Sequence, residues 1–340
     1  MLPIWYPRSL IAMNTKERHR DNHLPMLGFA MIGLCLLIVS FQSSAGAIYK
    51  NGFNVTDALI EISEILPGGP PRDGIPAIDE PKFVRAKDAD FLKPEDRILG
   101  VERNGVVKAY PISILNWHEI VNDHFRQEPI VITFCPLCGT GMAFEATVRG
   151  KPLTFGVSGL LYNSDVLLYD RDSESLWSQI MKQSISGKHQ GECLHHVPLQ
   201  HTNWADWSER YPDTLVLSDN TGFSRDYQRS PYQGYDKSRQ LYFPVAFRAK
   251  GYHPKERVLG LEFNGHYKAY PFIELSKTDG LIEDTLAAQQ FTIKFDIEHQ
   301  TASAYDPSGR LLPSTTAFWF AWYAFHPQTE VFVATQPVAK

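Results

Sequence analysis

EDRILGVERNGVVKAYP (Glu95–Pro111) and KERVLGLEFNGHYKAYP (Lys255–Pro271) align without a gap. They match at Arg97/Arg257, Gly100/Gly260, Glu102/Glu262, Asn104/Asn264, Gly105/Gly265 and the Lys-Ala-Tyr-Pro ending. Self-similarity of this kind signals a repeated structural unit. Each copy reads as two short strands around Asn-Gly, the pair that most readily supplies positive φ at both centres of a tight hairpin turn. A second pair of matches closes each unit: Trp204-x-x-Trp207-x-x-x-Tyr211-Pro212-x-Thr214 and Trp319-x-x-Trp322-x-x-x-His326-Pro327-x-Thr329. The i, i+3 spacing puts both indoles on one face of a short helix that the proline then stops. Between these landmarks the first copy carries an extra stretch, Phe155 to Gln200, whose apolar/polar alternation with Gly and Asn-Ser breaks predicts several strands joined by tight turns.

The expected fold is therefore α+β and β-dominated, with two diverged internal repeats, each an Asn-Gly hairpin plus sheet closed by a Trp-rich short helix. The first unit spans 81–240 and the second, shorter one 241–340. Ahead of them, 48–80 combines a helical pattern around Asp57 to Ile65 with the Pro/Gly stretch LPGGPPRDGIPAIDEP, which punctuates rather than builds structure.

Residues 1–47 read as a signal peptide: Lys16, Arg18 and Arg20, an apolar run from Leu24 to Phe41, and small residues ending Ala45-Gly46-Ala47. The alternative is an uncleaved anchor in which residues 24–41 associate with the membrane. Both readings place the body in an extracytoplasmic compartment, periplasmic or secreted. A net charge of -5 supplies no basic surplus for a phosphate backbone, so nucleic acid is not an expected partner. No Walker loop or dinucleotide glycine string is present, so no nucleotide cofactor is expected.

The strand-like run Val131-Ile132-Thr133-Phe134 delivers the chain into Cys135-Pro136-Leu137-Cys138-Gly139. A C-x-x-C pair on a turn points two sulfurs at one place, which suits a metal ion or a reversible disulfide. The second copy has Phe295-Asp296-Ile297-Glu298-His299 in nearly the same register, so the fold unit does not require the thiols. A thioredoxin-type site needs a helix N-terminus facing the first sulfur, whereas GTGMAFEATV is β-like. A closed metal site needs further ligands. His118, in Trp117-His118-Glu119, is the candidate third ligand, against the alternative of a histidine bonded to backbone. Cys193 is a weaker candidate in Cys193-Leu194-His195-His196, where a buried small hydrophobe beside two solvated histidines is the simpler reading. His326 stands where the first copy has Tyr211, which a helix-end role explains. The polar group Asn163, Ser164, Asp165, Asp170, Arg171 and Asp172 reads as turn chemistry, or else as a pocket wall near the thiols.

TFCPLCGTGMAF, LTFGVSGLLYNSDVLLYDRDSESLWSQ and FWFAWYAFHPQTE together resemble the exported prokaryotic family called domain of unknown function 3179, over roughly residues 80 to 335. The resemblance implies a β-rich extracytoplasmic protein whose hallmark C-P-L-C segment is matched by Cys135 and Cys138 and whose upstream His-Glu pair is matched by His118 and Glu119. It implies no reaction. Three functions follow: a metal-binding module holding zinc or copper through Cys135, Cys138 and His118; a thiol–disulfide redox protein in which Cys135 attacks and Cys138 resolves; or a structural body with a disulfide-locked pair and Trp-rich surfaces that contact a partner.

Overall fold

The computed structural model describes residues 46–335 except Ala249. The stretch read as a signal peptide, 1–47, lies outside the described residues except for Gly46 and Ala47, and its apolar run 24–41 lies wholly outside them. Among the described residues, no helix is long and apolar enough to cross a membrane.

The chain is β-dominated, with few and short helices, and its five main sheets are arranged like the blades of a five-bladed propeller. One sheet holds Phe155–Tyr162, Asp165–Asp170, Leu176–Ser178 and Gln183–Ser186, with Leu66–Pro67 at its edge. The next is built from Ile120–Phe125, Glu128–Cys135, Thr140–Glu145 and His196–Val197. Arg97–Arg103 and Val106–Pro111 lie inside a third sheet, Arg257–Phe263 and His266–Pro271 inside a fourth, and Leu281–Leu286, Gln289–Asp296 and Thr301–Tyr305 form the fifth.

Both Asn-Gly hairpins close as two-residue turns, Arg103 opposite Val106 and Phe263 opposite His266. Asn104 and Gly105 take φ of 52° and 69°, and Asn264 and Gly265 take 50° and 77°. These are the left-handed values that twist a hairpin in the sense of its strands. The helices Trp204–Arg210 and Trp319–Phe325 press their second indoles onto the paired strands. A Cβ on Gly100 would come within 2.3 Å of the Trp207 ring, and one on Gly260 within 2.2 Å of Trp322, so glycine is what admits each ring. Each ring N–H then reaches a threonine hydroxyl at 3.0 Å, Thr214 for Trp207 and Thr329 for Trp322. All four indoles of these helices are buried, so they are core and offer no docking surface.

The helical pattern expected around Asp57 to Ile65 is realised only as a single 3-10 turn, Ile62–Glu64. Leu66–Pro67, immediately after it, is drawn into pairing with Leu160–Leu161, and this tertiary contact overrides a weak local preference. The long segment 218–256 contains no strand or helix among its described residues. It is nonetheless tied down at many points, and it covers the site described next.

Candidate functional site

The Glu128–Cys135 strand ends at the first cysteine and the Thr140–Glu145 strand leaves after the second, so the thiols sit on the turn of a β-hairpin. Gly139, at φ +62°, turns the chain back, and a Cβ there would lie 2.9 Å from the Phe318 ring. The loop is also anchored from outside: Phe318 N–H donates to the Cys138 carbonyl at 2.7 Å. Both sulfurs are buried.

A second hairpin brings the next group. Asn163 and Ser164, at φ 51° and 64°, form the two-residue turn between Phe155–Tyr162 and Asp165–Asp170. The turn chemistry and the pocket wall are thus one feature, because this turn delivers Asp165 to the thiols. One ligand atom each from Cys135, Cys138 and Asp165 lie within 4.8 Å of one another, and all three residues are buried. The Ser164 carbonyl oxygen accepts from the Cys138 thiol at 3.2 Å and from the Cys135 thiol at 3.7 Å. Asp165 Oδ2 accepts from the Ile180 N–H at 3.0 Å, while Oδ1 is buried without a partner.

Glu119 is the fourth acid. It takes φ +57° at the end of the Ile112–His118 helix and is buried beside Asp165 and the Tyr232 hydroxyl. Burial and then the charge of Asp165 raise its carboxyl to about 8. Burial raises Asp165 to about 7, against hydrogen bonds from Ile180 and the thiols that favour its ionised form. Burial likewise lifts both thiols above their usual range, Cys138 the further. Four acidic groups thus crowd one dry place, and each is held toward its neutral form.

His118 is buried but its ring is committed elsewhere: Nδ1 lies 2.8 Å from the Pro76 carbonyl and Nε2 2.6 Å from the Tyr227 hydroxyl. Its neighbour Glu119 is the member of the pair that reaches the thiols' surroundings. Cys193 is exposed, its sulfur turned toward the Gly191 carbonyl, and it does not join the buried pair. His196 packs against Phe144, and His326 stacks on Tyr267 with ring centroids 4.0 Å apart. Asp170 is occupied in binding Ser173 and the Trp177 indole.

Sequence reasoning missed the aromatic cover. Tyr235 is buried, its hydroxyl has no hydrogen-bond partner, and burial followed by the nearby Cys138 and Cys135 raises its pKa. Lys255 Nζ stands 4.0 Å over the Tyr235 ring and ties down the carbonyls of Ser238, at 2.6 Å, and Gln240, at 2.5 Å. Ser164 Oγ donates to the Phe243 carbonyl at 2.9 Å, and Ala246 N–H donates to Asn163 Oδ1 at 2.8 Å. The irregular segment is therefore a fixed roof over the cysteines.

Neither the curated proteins nor the solved structures include one that matches this chain. The family described as protein of unknown function, DUF3179, matches residues 72–310, a span that contains both hairpins of the thiol site and its roof. The chain belongs to the DUF3179 family.

Proposed function

We propose that this protein binds a divalent zinc ion through Cys135, Cys138 and Asp165, with the Ser164 carbonyl as a fourth donor. The observation that carries the reading is the convergence of two sulfurs and a carboxylate within 4.8 Å. A tetrahedral ion with Zn–S near about 2.3 Å and Zn–O near about 2.0 Å needs sulfur-to-oxygen edges of about 3.5 Å. The two sulfurs stand 3.2 and 3.7 Å from the Ser164 oxygen. The chemistry of the set agrees. Buried acids with no paired base are costly to ionise alone, and a dication offsets that cost while releasing their protons. The partnerless Asp165 Oδ1 is an atom that a bound ion would satisfy. Two thiolates with oxygen donors suit zinc better than copper(I), which prefers soft ligands throughout.

A thiol–disulfide reading is favoured by one observation, the contact of the Cys138 thiol with a carboxyl that titrates near 7. In that chemistry the two thiols become one disulfide, surrendering two protons and two electrons to a disulfide-bearing partner. The raised thiol pKa values and the hairpin setting work against it, since an attacking sulfur must be a thiolate. Cobalt(II) titration separates the two: thiolate-to-cobalt charge-transfer bands in wild type, lost in Cys138→Ser, support the metal site. Their absence with a readily reducible Cys135–Cys138 disulfide supports redox chemistry.

The shared geometry of the two Asn-Gly hairpins and their indole helices also supports reading the fold as two diverged copies, only the first of which acquired the thiols. Residues 81–240 and 241–340 are the proposed units. The basic residues Lys16, Arg18 and Arg20 followed by the apolar run 24–41 support an extracytoplasmic location.

A further inference from the structure

A cavity of about 620 Å³ reaches the Cys135–Cys138 loop at Pro136 and Gly139 and is also lined by Tyr232 and Tyr235 of the roof. That volume falls in the range of small-molecule pockets. Arg97 and Arg257, the first residues of the two matching strands, both face it. Arg97 donates to the carbonyls of His299 at 2.8 Å, Gln300 at 3.2 Å and His201 at 2.6 Å. Arg257 donates to the carbonyl of Gln300 at 3.3 Å and to its side-chain oxygen at 3.1 Å. Neither forms an ion pair among the described residues. Burial and then the charge of Arg257 lower Arg97 to about 9, opposed by the charge of Asp206. His201, only 6 % exposed, lines the same cavity with a partnerless Nδ1. Three carboxylates also border it, Glu95, Asp236 and Glu298, but all are exposed. Phe134, Phe318 and Tyr232 supply apolar wall.

Two half-buried guanidiniums bonded to carbonyls rather than paired with carboxylates favour an added anion, and planar oxyanions match their donor geometry. We infer that this cavity binds a small organic oxyanion, a carboxylate or a phosphate ester with an apolar body, clamped between Arg97 and Arg257 and contacted by His201. The aromatic wall would take the apolar part. This site does not rest on the metal reading, since none of its charged groups is a proposed ligand.

The test is calorimetric titration of the purified protein with benzoate, phenyl phosphate and the neutral analogue benzyl alcohol, each on zinc-loaded and chelator-stripped samples. We expect at least one anion to saturate below about 10 mM, at least about tenfold tighter than the alcohol, in both samples. The tighter of the two anions identifies the head group. R97Q also severs three carbonyl contacts, so R257Q, which releases only Gln300, carries the mutational arm and should weaken the anion about tenfold or more. Equal binding of alcohol and anion, no saturation by either anion, or undiminished binding in folded R257Q would overturn the proposal. Binding only to the zinc-loaded sample would also overturn it, by placing the anion on the ion.

Discussion

The Cys138 sulfur lies 3.2 Å from the Ser164 carbonyl oxygen, and a carboxylate oxygen of the next residue, Asp165, lies within 4.8 Å of the same sulfur. Two hairpin turns, distant in sequence, thus present their tips to each other. Everything proposed for the site depends on that meeting, because one turn alone supplies only two sulfurs.

The pH dependence follows from the raised carboxyls. Asp165 moves from 3.8 to about 7 and Glu119 from 4.5 to about 8. Below the unfolded values both groups are protonated in either state, so their burial is tolerated. As pH rises the unfolded chain releases these protons first, and stability falls until the folded-state values are passed. Zinc reverses the trend, since its ligands must be deprotonated. Differential scanning calorimetry from about pH 5 to about pH 8 should show the Tm of chelated protein falling and the zinc-induced gain in Tm growing. A zinc gain that shrinks with pH would count against the ligand set.

Gly139→Ala should perturb the site without touching a ligand. The new Cβ meets the Phe318 ring at 2.9 Å on a residue held at φ +62°. Overpacking and a left-handed alanine should cost about 1–3 kcal/mol by denaturant unfolding and weaken zinc binding together. Gly150→Ala, also at positive φ but with no atom near its Cβ, should lose less stability and no zinc affinity.

Asp123→Ala should be among the most damaging changes outside the site. Its carboxylate receives two 2.8 Å bonds from buried Lys108 and one of 2.5 Å from Tyr110. Removing it leaves the ammonium between Phe83 and Phe125 without a counter-charge, held only by the His124 carbonyl at 2.9 Å. The expected loss is about 3–5 kcal/mol, read by urea unfolding, and Lys108→Met/Asp123→Leu should recover much of it.

How much of this was legible in the sequence depended on how local each feature was. The C-x-x-C turn, its β-like sequel and the Asn-Gly hairpins are set by neighbouring residues, and the strands of 155–200 by alternation. Asp165 was visible only as one of several polar turn residues, because its use depends on a partner turn nearly thirty positions away. In His118-Glu119 the choice of residue turned on the left-handed backbone at Glu119, which residue type does not announce. Tyr232, Tyr235 and Lys255 lie in or beside a segment without periodicity. Their placement comes from scattered long-range bonds that no local pattern encodes.

Tyr235→Phe tests the roof directly. The hydroxyl is buried and partnerless, so its removal should leave unfolding stability unchanged or slightly increased in chelated protein. In zinc-loaded protein the affinity for zinc should be unchanged, because all four donors lie elsewhere. Destabilisation of the chelated form would show that the hydroxyl already has a partner.

The most direct test of the central claim is metal content by mass spectrometry on the protein purified without added metal, for wild type, Cys138→Ser and Asp165→Asn, each with circular dichroism to confirm folding. The account predicts about one zinc per wild-type chain and a marked loss in both folded variants, Asp165→Asn included. Metal-free wild type that also fails to take up zinc after full reduction, or zinc retained undiminished in Asp165→Asn, would contradict it.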